Sequence, residues 1–399
     1  MFAGLPREVG VLAAIAFCVA LGFGIVAPAI PIFARTFGVS AFLAGAVVSA
    51  FAFVRLIAAP GAGALVNRIG ERRVLATGLG IVAVSSFAAA FAQGYTQLLV
   101  LRALGGFGSS MFTVSAMALL LRTVDQSQRG RASGAYQAGF LFGGVAGPAV
   151  GGVVIGISIR APFLVYAVTL AAATAVCLVW LKDPPPHVDT DEEAATENPA
   201  QPLPLATALR DRAYLAAIAT NLGNGFSIFG LRSALVPLFV VEGMRQGPTL
   251  AGIGFLVAAL VQAVLLLPAG RMADNRGRRP AMIIGAVMSV AAMVALAAGT
   301  QVWLFMMAMA IFGVSGAFLG PAPAAVVGDV THGRPGGTVV STFQMVSDFG
   351  AIIGPLAAGL VLDSAGFGAA FAVGGAIMGI GLVASLLMPE TLHRHRAES

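Results

Sequence analysis

Slid by 207 positions, this chain falls onto itself. Gly63 meets Gly270, Asn67 meets Asp274, Gly70 meets Gly277 and Arg72 meets Arg279. Further along, Gly143, Gly147, Pro148 and Gly152 meet Gly350, Gly354, Pro355 and Gly359. Glycine is common here, so one coincidence carries no weight. Eight correspondences at one displacement, with a proline and an arginine among them, mark an internal duplication. A chain built this way is constrained to two similar lobes.

Composition decides where those lobes sit. The 399 residues are 58% hydrophobic and only 10% charged, against about 25% charged in a soluble domain. Twelve apolar segments, the first over about 10–33 and the last over about 367–388, each approach the roughly 20 residues that a spanning helix needs. Lipid offers no partner to backbone polar groups, so these segments are expected to be helices, and the alternation of a membrane barrel is absent. The expected fold class is all-α and integral to the membrane, with twelve transmembrane helices in two pseudo-symmetric six-helix lobes. The lobes fall at 1–182 and 213–388, joined by an acidic, proline-rich linker at 183–212 and followed by a tail at 389–399.

The net charge of +6 follows topology rather than nucleic acid. With the N-terminus placed inside, Arg35, Arg160 and Arg245 fall outside and Arg55, Arg102 and Arg232 fall within spans, leaving 17 of 23 Lys and Arg inside. That bias puts both termini, the linker and the tail on the cytoplasmic side of the cytoplasmic (inner) membrane. Cys18 and Cys177 read as small buried hydrophobes. No metal-ligand spacing, phosphate-binding loop or nucleophile and base set is present, so no metal, cofactor, ATP-driven step or enzymatic activity is expected. The lipid bilayer is the partner that this composition implies, for a monomer.

Two loops carry the strongest motifs. One contains Gly63, Asn67, Arg68, Gly70, Arg72 and Arg73; the other contains Gly270, Asp274, Arg276, Gly277, Arg278 and Arg279. Glycines permit a tight reversal and arginines anchor the loop at a membrane face. The fifth apolar segment carries Gly139, Gly143, Gly147, Pro148, Gly151 and Gly152. Glycines four apart line one face and let a second helix approach closely, and Pro148 bends the helix.

The paired loops resemble the GxxxDxxGRR signature of the major facilitator superfamily. The glycine-proline run resembles the antiporter signature of its twelve-helix drug/proton antiporters. The resemblance implies alternating access, with the acidic loop residue locking a cytoplasmic gate. The first copy departs from the signature, with Asn67 for the usual acid and Glu71 for a base. The run from Gly22 to Pro31 looks like the group's first helix but lacks the acid many relatives carry. The resemblance also gives Arg102 a part in proton transfer; otherwise the residue snorkels toward a membrane face, because an arginine in a span costs roughly 2.5–3.5 kcal/mol.

Asp348 is the one carboxylate placed deep in a span, and Arg55 lies at a similar depth. The second and eleventh helices pack together in the resembled fold, so an Arg55–Asp348 pair between lobes is expected. It either serves as a strut or biases the rocking equilibrium when protonated. The repeat places Gln262 and Leu141 at the matching positions, so the second interface lacks these charges. Phe17, Phe23, Phe226, Phe229, Phe312 and Phe318 are candidates for lining an apolar cavity, with Gln137, Asn221, Asn224 and Gln344 as polar contacts, and Arg232, facing the cavity or the outer vestibule, is a candidate to hold an anionic group. The expected function is export of a hydrophobic small molecule in exchange for protons. The alternatives are a proton-coupled carrier of a small organic anion or metabolite, and a membrane sensor or scaffold that does not transport.

Overall fold

The computed structural model describes residues 5–124, 128–181, 203–331 and 337–392, and these are helices joined by turns. Most of the expected linker (183–202) and of the tail (393–399) lies outside the described residues. The first half contains α1 (Arg7–Val26), α2 (Ala29–Arg35), α3 (Ala41–Ile69), α4 (Glu71–Ala90), α5 (Tyr95–Thr123), α6 (Arg129–Ile157) and α7 (Ala161–Trp180). The second half contains α8 (Leu205–Ala208), α9 (Arg212–Asn224), α10 (Arg232–Leu238), α11 (Thr249–Arg276), α12 (Arg278–Ala298), α13 (Val302–Leu319), α14 (Pro321–Thr331) and α15 (Gly337–Leu387).

Eleven of these helical stretches are long and apolar enough to cross a bilayer. Helix α15 has 51 residues, about 76 Å if straight at 1.5 Å per residue, far beyond a hydrocarbon core of about 30 Å. It breaks at Gly366, where φ is 84°. The break separates two arms, each about as long as a span, so the described residues hold twelve stretches able to cross a bilayer, as expected. The first crossing is interrupted at Ala27 and Pro28, between α1 and α2. Its repeat counterpart is interrupted too, by π-helical turns over Gly225–Leu231 and Phe239–Gly243 on either side of α10.

Each half builds most of an apolar core of its own, and Leu238 of the second half joins the first. Leu12, Leu75, Leu119 and Phe163 share one core, and Leu231, Met293, Phe305 and Phe371 share another. A third, around Tyr214, Met282 and Val326, takes in Leu203 and Ala208. The last residues of the expected linker therefore pack onto the second half, because they are apolar. Cys18 is half-buried, Cys177 is buried, and both are free thiols.

The glycine runs show the duplication in three dimensions. A Cβ on Gly147 would lie 2.7 Å from the Leu21 carbonyl oxygen and 2.8 Å from the Gly24 Cα, so α6 rides directly on the α1 backbone. Gly139, Gly143 and Gly151 extend this face against Ala13, Phe17 and Ile25. In the second half, Gly350 and Gly354 meet Phe226 and Gly230 in the same manner. Gly152 turns the other way and touches Gly252 of the opposite half, while its counterpart Gly359 touches Ala41 and Phe42. One glycine run thus packs a half together and joins it to its neighbour.

Candidate functional site

The two halves meet along two seams, α3 against the first arm of α15 and α6 against α11. The first seam runs from a tight end to a parted end. At the tight end, Asp363 accepts hydrogen bonds from the backbone N–H groups of Ala41 and Phe42, each at 2.9 Å, and so caps α3 from the other half. Nearby, Arg35 grips Glu242 through two parallel bonds of 2.7 and 2.8 Å while donating a third to the Val39 carbonyl at 2.6 Å. Deeper in, the Ser49 hydroxyl donates to the Ile352 carbonyl at 2.6 Å. Deepest is Arg55, which donates to Asp348 at 2.9 Å.

The sequence places Arg55 and Asp348 at matching depth, and the structure brings them together. Arg55 is 14 residues into the 29-residue helix α3, about 21 Å along it. The two side chains keep 38% and 37% of their surface exposed, so the pair faces the open part of the seam rather than a sealed core. Exposure of that degree limits its worth to about 1 kcal/mol or less. Its placement matters more than its strength, because Ile57 beyond it on α3 and Met345 beyond it on α15 are exposed.

Arg102 lies one helix away. It is 2% exposed and stays buried instead of snorkelling to a membrane face. Its guanidinium carbon stands 4.5 Å from the centre of the Phe51 ring, and its Nε has no hydrogen-bond partner. A cation over a ring is worth about 0.5–2 kcal/mol, less than the cost of burying the charge. Phe51 sits one turn before Arg55, and Tyr166 is within electrostatic reach of both Arg102 and Arg55. Phe23 is 41% exposed with its ring centre 6.4 Å from that of Phe51, adding an open aromatic face to the group.

Arg232 opens α10 in the second half. Its guanidinium lies 5.6 Å from the Phe255 ring centre and 5.8 Å from that of Phe312, and its Nε is sealed without a partner. Phe226 and Phe312 belong to the second core, and Phe318 packs beside Gly285. Phe17 is half-buried, and Gln137 and Gln344 are exposed. Asn221 donates to the Phe343 carbonyl at 2.8 Å, a bond within its own half. The Asn224 amide oxygen is buried without a partner. The Phe229 side chain lies outside the described residues.

At the parted end lie the two motif loops. Gly70 and Gly277 hold φ of 88° and 123°, values that favour glycine, and each lets one helix end and the next begin at once. Gly63 and Gly270 border open space. Asn67, Arg68, Arg73 and Arg276 are exposed. Arg72 donates to the Leu178 carbonyl at 2.7 Å, and its counterpart Arg279 donates to that of Leu386 at 2.6 Å. Asp274, in the last turn of α11, pairs with Arg278, the first residue of α12. Arg278 also reaches Asp329 at 3.2 Å, and Glu390 accepts from the Arg278 and Arg279 amides at 2.8 and 3.1 Å, capping α12.

The departure at Glu71 has a structural answer. Glu71 pairs with Arg122. The repeat carries Glu71 onto Arg278 and Arg122 onto Asp329. One ion pair therefore exists in both halves with its polarity exchanged. Glu71 is 6% exposed at its side chain, and breaking a buried pair costs about 3–5 kcal/mol. Glu71→Arg is expected to lower the melting temperature and yield of purified protein. Adding Arg122→Asp recreates the second half's arrangement and is expected to recover most of the loss. Equal damage in the single and double variants would show that the pair itself contributes little.

Sequence reasoning passed over Arg35, Glu242, Asp363, Arg122, Asp329 and Glu390. The repeat held a signal for the first pair, since Arg35 and Glu242 are themselves 207 apart and opposite in charge.

Two duplicated six-helix halves joined along two seams define a two-lobed, multi-pass membrane fold of the kind found among secondary transporters. The chain matches the sequence profile of the Major Facilitator Superfamily over residues 12–258 and 220–399, and it belongs to that family. It is 27% identical over 328 residues to the synaptic vesicular amine transporters of Bos taurus and Homo sapiens, covering 81% of this chain and 62% of each relative. The chain thus spans about three-fifths of the length of those relatives. It is 23% identical over 367 residues to the quinolone resistance protein NorA of Staphylococcus aureus (strain COL), covering 90% of this chain and 91% of that protein. A crystal structure of a POT family transporter in complex with 5-aminolevulinic acid shares the fold, with a TM-score of 0.77 at 13% identity over 97% of this chain and 96% of that one.

Proposed function

We propose that this transporter exports hydrophobic small molecules in exchange for protons, from a cytoplasmic membrane in which both termini face the cytoplasm. The observation that carries this reading is the Arg55–Asp348 pair at the point where the halves part. Asp348 is half-exposed, titratable and paired across the seam. Protonation removes its charge, weakens its hold on Arg55 and favours separation of the halves there. Arg102, buried over Phe51 one turn from Arg55, adds a second positive charge to this part of the first half. The full-length similarity to a quinolone resistance protein supports export of an apolar compound. The excess of Lys and Arg at the motif-loop end supports the orientation.

In this reading the fastened end is external and the parted end faces the cytoplasm, where substrate enters. The exposed rings of Phe23 and Phe142 offer an apolar surface. The test uses purified protein in liposomes with an acidic lumen and a panel of neutral hydrophobic compounds added outside. A compound-triggered loss of lumenal protons, absent from protein-free vesicles, is the expected result. A panel that moves without any change in lumenal pH would leave a transporter with no proton coupling.

A further inference from the structure

Arg232 is an addition to the duplicated plan. Its repeat counterpart is Ile25, and the counterpart of Arg102 is Met309. Each half therefore places one guanidinium among its own inner helices, but from a different helix. Inheritance from a common half does not explain that arrangement, and neither does structural pairing. Neither arginine has a hydrogen-bond partner for its Nε, and both rest on aromatic faces.

Nearby carboxylates do not neutralise them. Among the described residues, Asp348 is held by Arg55, Glu242 by Arg35, and Asp363 by two backbone amides. The other described carboxylates lie at the motif-loop end. The middle of the molecule therefore carries two uncompensated positive charges in a low-dielectric setting. A cationic compound is repelled there, and an anionic group supplies what the arginines lack.

Arg232 is also within reach of the transport path. Phe255 follows Gly252 by three residues, on the same face of α11, and Gly252 touches Gly152 of the other half. The ring under the Arg232 guanidinium therefore borders the second seam. Arg232 keeps part of its surface exposed although its Nε is sealed, so its outer nitrogens remain free to donate.

We propose that Arg232 forms an anion-binding subsite in the path, and that the compounds carried are amphipathic, with an acidic group held by Arg232 and an apolar body along the aromatic wall. This deepens the export reading above and rests on it for the transport step alone. It also separates this chain from what similarity to amine transporters would suggest.

The test is equilibrium dialysis of the purified full-length protein with three matched compounds of fixed charge: naphthalene-2-sulfonate, the neutral naphthalene-2-sulfonamide, and 2-naphthyltrimethylammonium. The sulfonate is expected to bind at least tenfold more tightly than the ammonium. Arg232→Gln is expected to weaken sulfonate binding at least tenfold, with a loss below threefold for the sulfonamide. Arg232→Lys, which keeps the charge, is expected to fall between. Circular dichroism melts establish that the variants fold. Tighter binding of the ammonium, undiminished sulfonate binding in Arg232→Gln, or no saturable sulfonate binding would each overturn the proposal. The same compounds are then followed into acid-loaded proteoliposomes. Loss of proton coupling there, with the charge preference intact in dialysis, would remove the export reading and leave the subsite standing.

Discussion

Asp348→Asn is expected to cut pH-driven export at least a hundredfold while leaving a folded protein. Asparagine matches aspartate in shape and still accepts a hydrogen bond from Arg55, but it does not titrate. The pair is more than a third exposed on both sides, so its loss removes about 1 kcal/mol or less of stability, and the melting temperature is expected to shift by only a few degrees. A large loss of flux with a small loss of stability separates a coupling role from a strut. Exchanging the partners, with Arg55→Asp and Asp348→Arg together, keeps a pair across the seam and returns a titratable carboxylate at nearly the same depth. Partial recovery of pH-driven flux is expected in that double variant. Undiminished flux in Asp348→Asn would remove the residue from coupling.

The second large effect concerns the other seam. A Cβ on Gly252 would press into the backbone of Gly152, which has no side chain to move aside. Gly252→Leu is therefore expected to wedge α11 away from α6 and prevent the fastened end from closing. Each half carries most of a core of its own, so the damage falls on the closing of the seam more than on folding. Transport is expected to stop. With Cys18 and Cys177 replaced by alanine and a single cysteine placed at Ala41, which is 2% exposed, maleimide labelling is expected to rise at least tenfold in Gly252→Leu. Unchanged labelling with full transport would show that α6 and α11 tolerate the extra volume.

The parts legible in the sequence were those with a period or a register. Twelve apolar runs, glycines four apart and a displacement of 207 each correspond to a spatial regularity, and the helices follow them. The Arg55–Asp348 contact was legible because depth in a membrane can be counted along a helix, and the resembled fold packs the second and eleventh helices together, antiparallel, so that equal depths meet. Interactions set by rotation about a helix axis were less visible. Nothing in the local sequence says that Asp363 caps α3 from the other half, or that Glu390 folds back onto α12. The exchange of charge between Glu71–Arg122 and Arg278–Asp329 was hidden for another reason: a motif read one residue at a time registers each swap as a defect. Compared as pairs, the two swaps cancel.

Arg35 and Glu242 are the same position of the duplicated unit, and they touch. Two equivalent residues in contact must stand beside the axis that relates the halves. In an assembly of two identical six-helix chains, one residue would have to face itself there, arginine against arginine or glutamate against glutamate. Fusion into one chain lets the two copies differ, and this clasp exists only because they do. A chain built from two first halves would set two guanidinia against each other at the fastened end, and one built from two second halves would oppose two carboxylates. The clasp thus requires one copy of each half, and their difference at this position is what holds them.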